Sequence, residues 1–163
     1  MPSWHDFRAQ QPQLADAAHG LLYQFGVGLA FLATTRRDGG PRTHPICPLV
    51  HDDRLLAFII PSPKLEDLRR DGRFALHGFP PADNEDAIYL TGRAFEVTDP
   101  QVRAGAEQQF TEERAAFAVP PPGPEQALVE LVIHTAMLTR TTGHGDPDPQ
   151  HTIWKAPPTA DGG

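Results

Sequence analysis

Residues 29–60 have the sequence LAFLATTRRDGGPRTHPICPLVHDDRLLAFII, in which segments of extended character alternate with turn residues. Its two ends, Leu29–Thr35 and Leu55–Ile60, are rich in apolar and β-branched residues, which is typical of buried strands. The segments DGGP and HDD carry turn residues, and they flank Thr43–Val50, which also has extended character. The pattern predicts three consecutive antiparallel strands.

The rest of the chain adds helices and further strands. Apolar residues at helical spacing, with Pro12 in the first turn, predict a helix over about residues 11–25. Ser62–Gly72 begins with an N-cap serine and a proline and ends in arginines and glycine, which predicts a short helix. Similar signals predict a helix from Asp99 to about Glu113. Further strands are predicted at Arg73–Phe79, Ala87–Val97, Leu128–Thr142 and His151–Lys155. Gly92 indicates a bulge in the second of these, and a helix is the alternative for the third before Thr135.

The number and order of these strands predict the fold class. Six or so antiparallel strands, with one short helix after the third, indicate a mainly β protein built as a closed or partly closed barrel. Pro41, Pro45 and Pro48 lack the backbone N–H that a fully paired strand needs, so Thr43–Val50 is predicted at an edge, a bulge or the split of the barrel. The alternative is that these prolines only protect an edge from aggregation.

Length and composition limit the class of protein. The 163 residues correspond to about one domain, predicted over 1–163 with an N-terminal helix at about 11–25, a barrel core at about 28–142 and a C-terminal segment at 143–163. The net charge of −7 argues against general binding to nucleic acid or anionic membranes. No apolar run approaches the roughly 18 residues of a membrane span, and the N-terminus lacks a signal-peptide pattern. The single Cys47 cannot form an internal disulfide, which favours the cytoplasm.

Charge is unevenly distributed along the chain. Residues 36–73 hold eight cations against six anions, whereas the rest of the chain holds six against fifteen. A locally basic segment in an acidic protein is one way to receive a phosphorylated cofactor, and chance variation of surface charge is the alternative. The eight cations are Arg36, Arg37, Arg42, Arg54, Lys64, Arg69, Arg70 and Arg73.

The start of the short helix is the sharpest local feature. A helix N-terminus presents unpaired N–H groups and a partial positive charge, and here Ser62 and Lys64 add a hydroxyl and an ammonium. Together they predict a site for a terminal phosphate. An ordinary capped helix with a surface lysine is the alternative.

Four motifs in order carry a family resemblance: FLATTxxDGGP at 31–41, HPICP at 44–48, SPKxxDLxxDxR at 62–73 and LTGRA at 90–94. They resemble the pyridoxamine 5′-phosphate oxidase-like family of FMN-binding split barrels, over residues 28–98. The resemblance implies a six-stranded antiparallel Greek-key split barrel. It further implies a homodimer with one FMN in each of two interface clefts.

The resemblance also implies cofactor contacts. By position, the second strand would lie along the flavin ring and ribityl chain, and the end of the third strand would contact the same parts of the cofactor. The helix start would hold the phosphate. The residues concerned are His44, Pro45, Ile46, Cys47 and on to Leu49, then Phe58 and Ile59, then Ser62 and Lys64.

Departures from the vitamin B6 oxidases limit what the resemblance implies. Those enzymes usually have arginine at the position of His44, lysine at Leu49, a Tyr-Thr pair at Phe58-Ile59, and a tryptophan that Leu128–Thr142 lacks. Oxidation of pyridoxamine phosphate is therefore not expected. The absent charged contacts are also compatible with the related deazaflavin coenzyme (F-420 type).

Catalytic residues are not assigned by the sequence, because a flavin carries its own redox chemistry. His44, His77 and His134 are candidates for proton delivery, with a structural role as the alternative. His44 and Cys47 are too few to predict a metal site. We predict an FMN-dependent oxidoreductase acting on an unknown small molecule. The alternatives are a deazaflavin-dependent reductase and a non-catalytic flavin- or haem-binding protein.

Overall fold

A computed structural model describes residues 2–158, which form a curled antiparallel sheet with flanking helices. The strands are β1 Ala30–Thr35, β2 Pro41–Ile46, β3 Pro48–His51, β4 Arg54–Ile59, β5 Arg73–Gly78, β6 Ala87–Glu96, β7 Ala127–Arg140 and β8 Gln150–Lys155. The helices are α1 Trp4–Gln10, α2 Pro12–Leu22, α3 Pro63–Arg70 and α4 Pro100–Arg114, followed by a 3₁₀ turn at Ala115–Phe117. None of these helices is long and apolar enough to cross a membrane.

The sheet runs in the order β2-β1-β5-β6-β7-β4-β3, with β8 also paired to β7. Its two edge strands, β2 and β3, are separated in sequence only by Cys47, yet β2 pairs with β1 and β3 pairs with β4. The sheet therefore curls until its edges meet at Cys47, which is the geometry of a split barrel. The predicted fold class is confirmed, and so is the position of the proline-rich segment at the split.

The number of strands differs from the prediction of six. Thr43–Val50 forms two strands instead of one, because the chain leaves one edge of the sheet at Ile46 and joins the other edge at Pro48. The final strand expected at His151–Lys155 is present as β8, Gln150–Lys155, which pairs with β7. Eight strands are therefore present. Leu128–Thr142 is extended almost throughout, so the helical alternative before Thr135 is wrong.

The N-terminal region also departs from the expectation. The predicted helix over 11–25 ends at Leu22, and the positive φ of 82° at Gly26 then turns the chain away. A separate helix precedes it, because Ser3 and Asp6 form a capping box at the start of α1. That helix buries Trp4 and Phe7 in the core.

Two hydrophobic clusters fix the helices on the sheet. The main cluster joins the inner faces of the strands to α1, α2 and α3, so these three helices lie on one side. A smaller cluster lies on the other side, where α4 packs against β3, β4 and the start of β7 through Leu49, Leu56, Ala106, Phe110 and Leu128. The outer face of β1, β5 and β6 belongs to neither cluster.

The predicted bulge at Gly92 is confirmed, and it gives a first prediction. The pairing of β6 with β7 shifts register between Thr91 and Gly92, and a Cβ at Gly92 would lie 1.7 Å from the carbonyl oxygen of Val132. We expect Gly92→Ala to lower the free energy of unfolding by about 2 kcal/mol, measured by urea denaturation. Gly20→Ala is the matched control. Its Cβ meets nothing within 4 Å in α2, so it should raise stability by up to about 1 kcal/mol.

Candidate functional site

A cleft of about 560 Å³ lies between the β1–β2 hairpin and α3. Its volume is within the range of roughly 300–1,000 Å³ that is usual for small-molecule sites. Four guanidiniums and three carboxylates surround it, so it is strongly polar with a small positive excess. We call it the arginine cleft, and it is lined by Arg36, Arg37, Asp38, Arg42, Pro63, Glu66, Asp67 and Arg70.

The hairpin supplies two of these arginines. The turn after β1 is closed by hydrogen bonds from the Arg36 N–H to the Gly40 carbonyl (2.8 Å) and from the Gly39 N–H to the Arg36 carbonyl (2.9 Å). Gly39 has a φ of 85°, which an L side chain rarely adopts. The tight turn projects Arg36 and Arg37 into solvent at the mouth of the cleft.

A buried carboxylate organises the wall of the cleft. Asp67 Oδ2 accepts hydrogen bonds from Thr34 Oγ1 (2.9 Å) and Arg42 Nε (2.8 Å), and its Oδ1 accepts from Arg70 at 3.2 Å. The Asp67 side chain is only 4% exposed. Burial raises the pKa of Asp67, but the hydrogen bonds from Arg42, Thr34 and Arg70 outweigh it and hold that pKa below its usual value. Asp67 is therefore ionised at neutral pH and fixes two guanidiniums beside the cleft.

The remaining cations differ in how far they are neutralised. Arg36 pairs with Asp38 at 2.7 Å on the surface. Within residues 2–158, Arg37 and Lys64 have no carboxylate at ion-pair distance. These two side chains are therefore available to an anion without breaking an existing ion pair.

The predicted phosphate site lies at one border of the arginine cleft. Ser62 is the N-cap residue of α3, as expected, but its hydroxyl donates to the Ile60 carbonyl (2.7 Å) and forms no capping bond to the helix. The predicted capping role of that side chain is wrong, because the nearby carbonyl takes its proton. Of residues 62–64, Pro63 lines the cleft, and the partly exposed Lys64 follows it. Their contact with a phosphate stays a prediction.

The predicted ring-binding residues of β2 continue from the same cleft. His44 lies two residues after Arg42 on the same face of the strand, a step of about 7 Å. His44 and Pro45 are exposed, Ile46 is buried and Cys47 is half-buried. Because β2 pairs only with β1, its other edge is open to a ligand.

Phe58 and Ile59 lie apart from the arginine cleft. The Phe58 ring packs edge-on against Phe110 (centroids 5.6 Å apart) and beneath the Arg103 guanidinium (5.4 Å), on the α4 side of the sheet. Ile59 is 1% exposed in the main core. The Ile59 side chain is enclosed in the core and the Phe58 side chain is half-buried, and their contact with a cofactor stays a prediction.

The three candidate histidines are not brought together. His77 is exposed on the outer face of β5, and its Nδ1 lies 2.6 Å from the Gly78 carbonyl oxygen. His134 lines a separate hollow with Pro2 and Ala156. Only His44 shares a strand face with the arginine cleft. In the described part of the chain, no three His, Cys, Asp or Glu side chains cluster as metal ligands.

Solved structures supply the relevant comparisons, since no family model and no curated protein sequence matches the chain. A pyridoxinephosphate oxidase family protein from Clostridium acetobutylicum superposes with a TM-score of 0.58 at 12% identity, over 93% of this chain and 95% of its own. A haem-binding protein from Mycobacterium smegmatis gives 0.62 at 15% identity, over 83% of this chain and 57% of its own length. A FAD-binding protein from Mesorhizobium loti gives 0.54 at 19% identity, over 66% and 82%.

The chain has the split-barrel fold of these proteins. The resemblance seen in the sequence is thereby confirmed for the fold, and identities of 12–19% carry it no further. This split barrel spans little more than half of the haem-binding protein.

The arginines that form the cleft were expected from the sequence only as part of a locally basic segment, whereas the helix start was expected as the phosphate site. Four of the eight cations counted in residues 36–73 line it, namely Arg36, Arg37, Arg42 and Arg70. The local charge excess was therefore the signal that pointed to them. It could not show that Asp67 gathers two of them from opposite sides.

Proposed function

We propose that this protein binds FMN through the arginine cleft and acts as a flavin-dependent oxidoreductase on a small organic molecule. The observation that carries the proposal is the cleft itself. It combines unpaired and fixed cations with the start of α3, and it opens onto the free edge of β2. A phosphate dianion is matched by such a set of donors.

Each part of the site then has a stated role. Arg37 and Lys64 hold the phosphate, while Arg42, fixed by Asp67, positions it. The open edge of β2, from His44 to Cys47, orients the planar ring. FMN supplies the redox chemistry when it is bound. The exposed imidazole of His44 is the group placed to hold a proton for the substrate.

Two other cofactors are compatible with parts of this description. The similarity to a haem-binding protein favours a non-catalytic haem carrier as the second candidate function. A deazaflavin coenzyme also carries phosphate and a planar ring, so the arginine cleft alone does not distinguish it from FMN. The visible spectrum of the bound ligand distinguishes FMN, the deazaflavin coenzyme and haem, and repeated reduction and reoxidation distinguishes an enzyme from a carrier.

The test is a titration of the purified protein with FMN, deazaflavin coenzyme and haemin, each followed by its visible spectrum. We expect FMN to bind most tightly. Reduced nicotinamide and an electron acceptor should then bleach and restore the flavin band repeatedly. Tight haem binding without turnover would overturn the proposal in favour of the carrier. A failure of both flavins to bind would remove the cleft as a cofactor site.

We further propose that two copies associate through the outer face of the sheet. A row of large side chains crosses β2, β1, β5, β6, β7 and β8 and consists of Pro45, Phe31, His77, Tyr89, Met137 and Ile153. A row of small side chains runs beside it and consists of Thr43, Ala33, Ala75, Thr91 and Thr135. The small row lines much of a hollow of about 290 Å³. Adjacent ridge and hollow on one face are self-complementary under a two-fold axis.

Exposed aromatic rings support this homodimer. Phe31 is 36% exposed and stacks on Phe79 with ring centroids 4.3 Å apart, while Phe25 beside them is 50% exposed. Exposed aromatics in contact with one another are typical of an interface. In the proposed dimer, the cofactor lies at the rim of this face, where β2 is the edge strand.

Ala75→Arg should therefore convert the protein to monomers. The substitution places a long cation in the hollow, where a second copy has to seat its ridge. Sedimentation or light scattering measures the change. The control is Ala104→Arg, on the exposed surface of α4, which should leave the dimer intact. A monomeric parent protein would contradict the proposed interface.

We also propose that the protein works in the cytoplasm on a small molecule and not on nucleic acid. The single half-buried thiol of Cys47 and the net charge of −7 support this. Fractionation of the producing cells tests the location.

A further inference from the structure

A second hollow lies on the other side of α3, away from the arginine cleft. It has a volume of about 280 Å³ and is formed between α3 and the ends of β6 and β7. We call it the α3–β6 pocket, and it is lined by Leu65, Leu68, Arg69, Ala94, Phe95, Glu96 and Val129. The proposed cofactor site lies on the other side of the helix, and one of its lining residues, Glu66, also pairs with Arg69 of this pocket.

The floor of the α3–β6 pocket is aliphatic. Leu65, Leu68, Ala94 and Val129 belong to the main core and are all less than one-tenth exposed. A hollow with such a floor favours apolar groups, because their transfer from water is favourable while no polar atom loses hydration. At the rim, the Phe95 ring is 39% exposed and adds a flat apolar surface.

The pocket lining holds one cation and one anion, Arg69 and Glu96, and the carboxylate of Glu66 pairs with the same guanidinium from the neighbouring turn of α3, so these three side chains carry a net charge of −1. Arg69 Nε donates to Glu96 Oε1 at 2.6 Å, and its Nη1 donates to Glu66 Oε1 at 3.0 Å. Two carboxylates therefore share a single guanidinium, and each keeps further lone pairs for another donor. The electrostatic complement of this rim is a cation.

We propose that the α3–β6 pocket is a binding site for small amphipathic ammonium compounds. The apolar part of the ligand lies on Leu65, Leu68 and Val129, and the ammonium hydrogen-bonds to Glu96. A carboxylate at the edge of an apolar hollow matches both parts of such a ligand. This site is distinct from the arginine cleft, which takes an anion, and it does not depend on the proposed flavin.

The experiment is an NMR titration of the full chain with phenethylammonium, observing the methyl groups of Leu68 and Val129. The matched ligand is 3-phenylpropionate, which has a similar apolar part and the opposite charge. We expect saturable shifts with the ammonium ligand and at least about tenfold weaker binding of the carboxylate. Equal or tighter binding of the carboxylate would overturn the proposal, because it would assign the rim to Arg69.

Two variants test the two halves of the site. Glu96→Gln should weaken phenethylammonium binding about tenfold, whereas Glu112→Gln, on the exposed surface of α4, should leave it unchanged. Ala94→Leu fills the pocket and should abolish binding. Unchanged affinity in either folded pocket variant would refute the proposal. If Ala94→Leu does not fold, Glu96→Gln decides the result.

Discussion

Asp67→Ala is expected to lower the free energy of unfolding by about 3 kcal/mol. The substitution removes a carboxylate that is 4% exposed and that accepts hydrogen bonds from Thr34, Arg42 and Arg70. The two guanidiniums remain beside each other without their shared anion, and the Thr34 hydroxyl loses its acceptor. Urea denaturation followed by fluorescence measures the change, since Trp4 and Trp154 lie in the core.

The control for this prediction is Asp38→Ala. Asp38 also pairs with an arginine of the arginine cleft, at 2.7 Å from Arg36, but both side chains are about half exposed. Solvent screens such a pair, so the expected loss is below about 1 kcal/mol. A similar loss in both variants would mean that burial of Asp67 is not what makes its ion pairs strong.

The same carboxylate predicts a pH dependence. The pKa of Asp67 is lower in the folded protein than the value of about 3.9 for an unfolded aspartate. The stability that it contributes is therefore complete above about pH 4 and is lost as the pH falls through the folded pKa. Asp86, hydrogen-bonded to Arg140 and Thr141, also has a lowered pKa, so the parent protein loses more than one contribution. The difference in the free energy of unfolding between the parent protein and Asp67→Ala should decrease below pH 4. This decrease measures the contribution of Asp67 separately from those of the other carboxylates.

The sequence predicted those parts of the fold that depend on local signals. The proline at the start of α3 and the arginines at its end, the turn before Pro41 and the bulge at Gly92 each depend on a few neighbouring residues, and each is present in the structure, although the Ser62 hydroxyl forms no capping bond. The division of Thr43–Val50 at Cys47 is different in kind. It arises because the whole sheet curls, and the sequence of these eight residues alone does not indicate that curvature.

The candidate site shows the same limit. The charge excess in residues 36–73 indicated an anion site, but the partners of Asp67 lie 25 and 33 positions away in sequence at Arg42 and Thr34. The prediction for Phe58 depended on which face of β4 meets the cofactor. That face is set by α4, whose Phe110 lies far along the chain and packs against the Phe58 ring.

The arginine cleft predicts a large difference between two flavins. The double variant Arg37→Ala with Lys64→Ala should weaken FMN binding about 100-fold, because each lost charge-assisted contact costs at least about 1.4 kcal/mol or a factor of ten. Riboflavin has the same ring without the phosphate, so its affinity should change less than about threefold. Neither side chain has an ion partner among residues 2–158, so the fold should be unaffected. Fluorescence quenching of each flavin measures both affinities.

The matched control removes two cations elsewhere on the surface. Arg8→Ala with Arg54→Ala changes the net charge by the same amount, and these arginines pair with Asp53 and Glu130, outside the arginine cleft. Long-range attraction of FMN should fall slightly in both double variants, but only the cleft variant should lose specific contacts. Equal losses of FMN affinity in the two variants would mean that the cleft cations attract FMN only at long range and make no specific contact with it. A matching loss of riboflavin affinity would instead move the phosphate away from the start of α3, and both results would contradict the proposed FMN site.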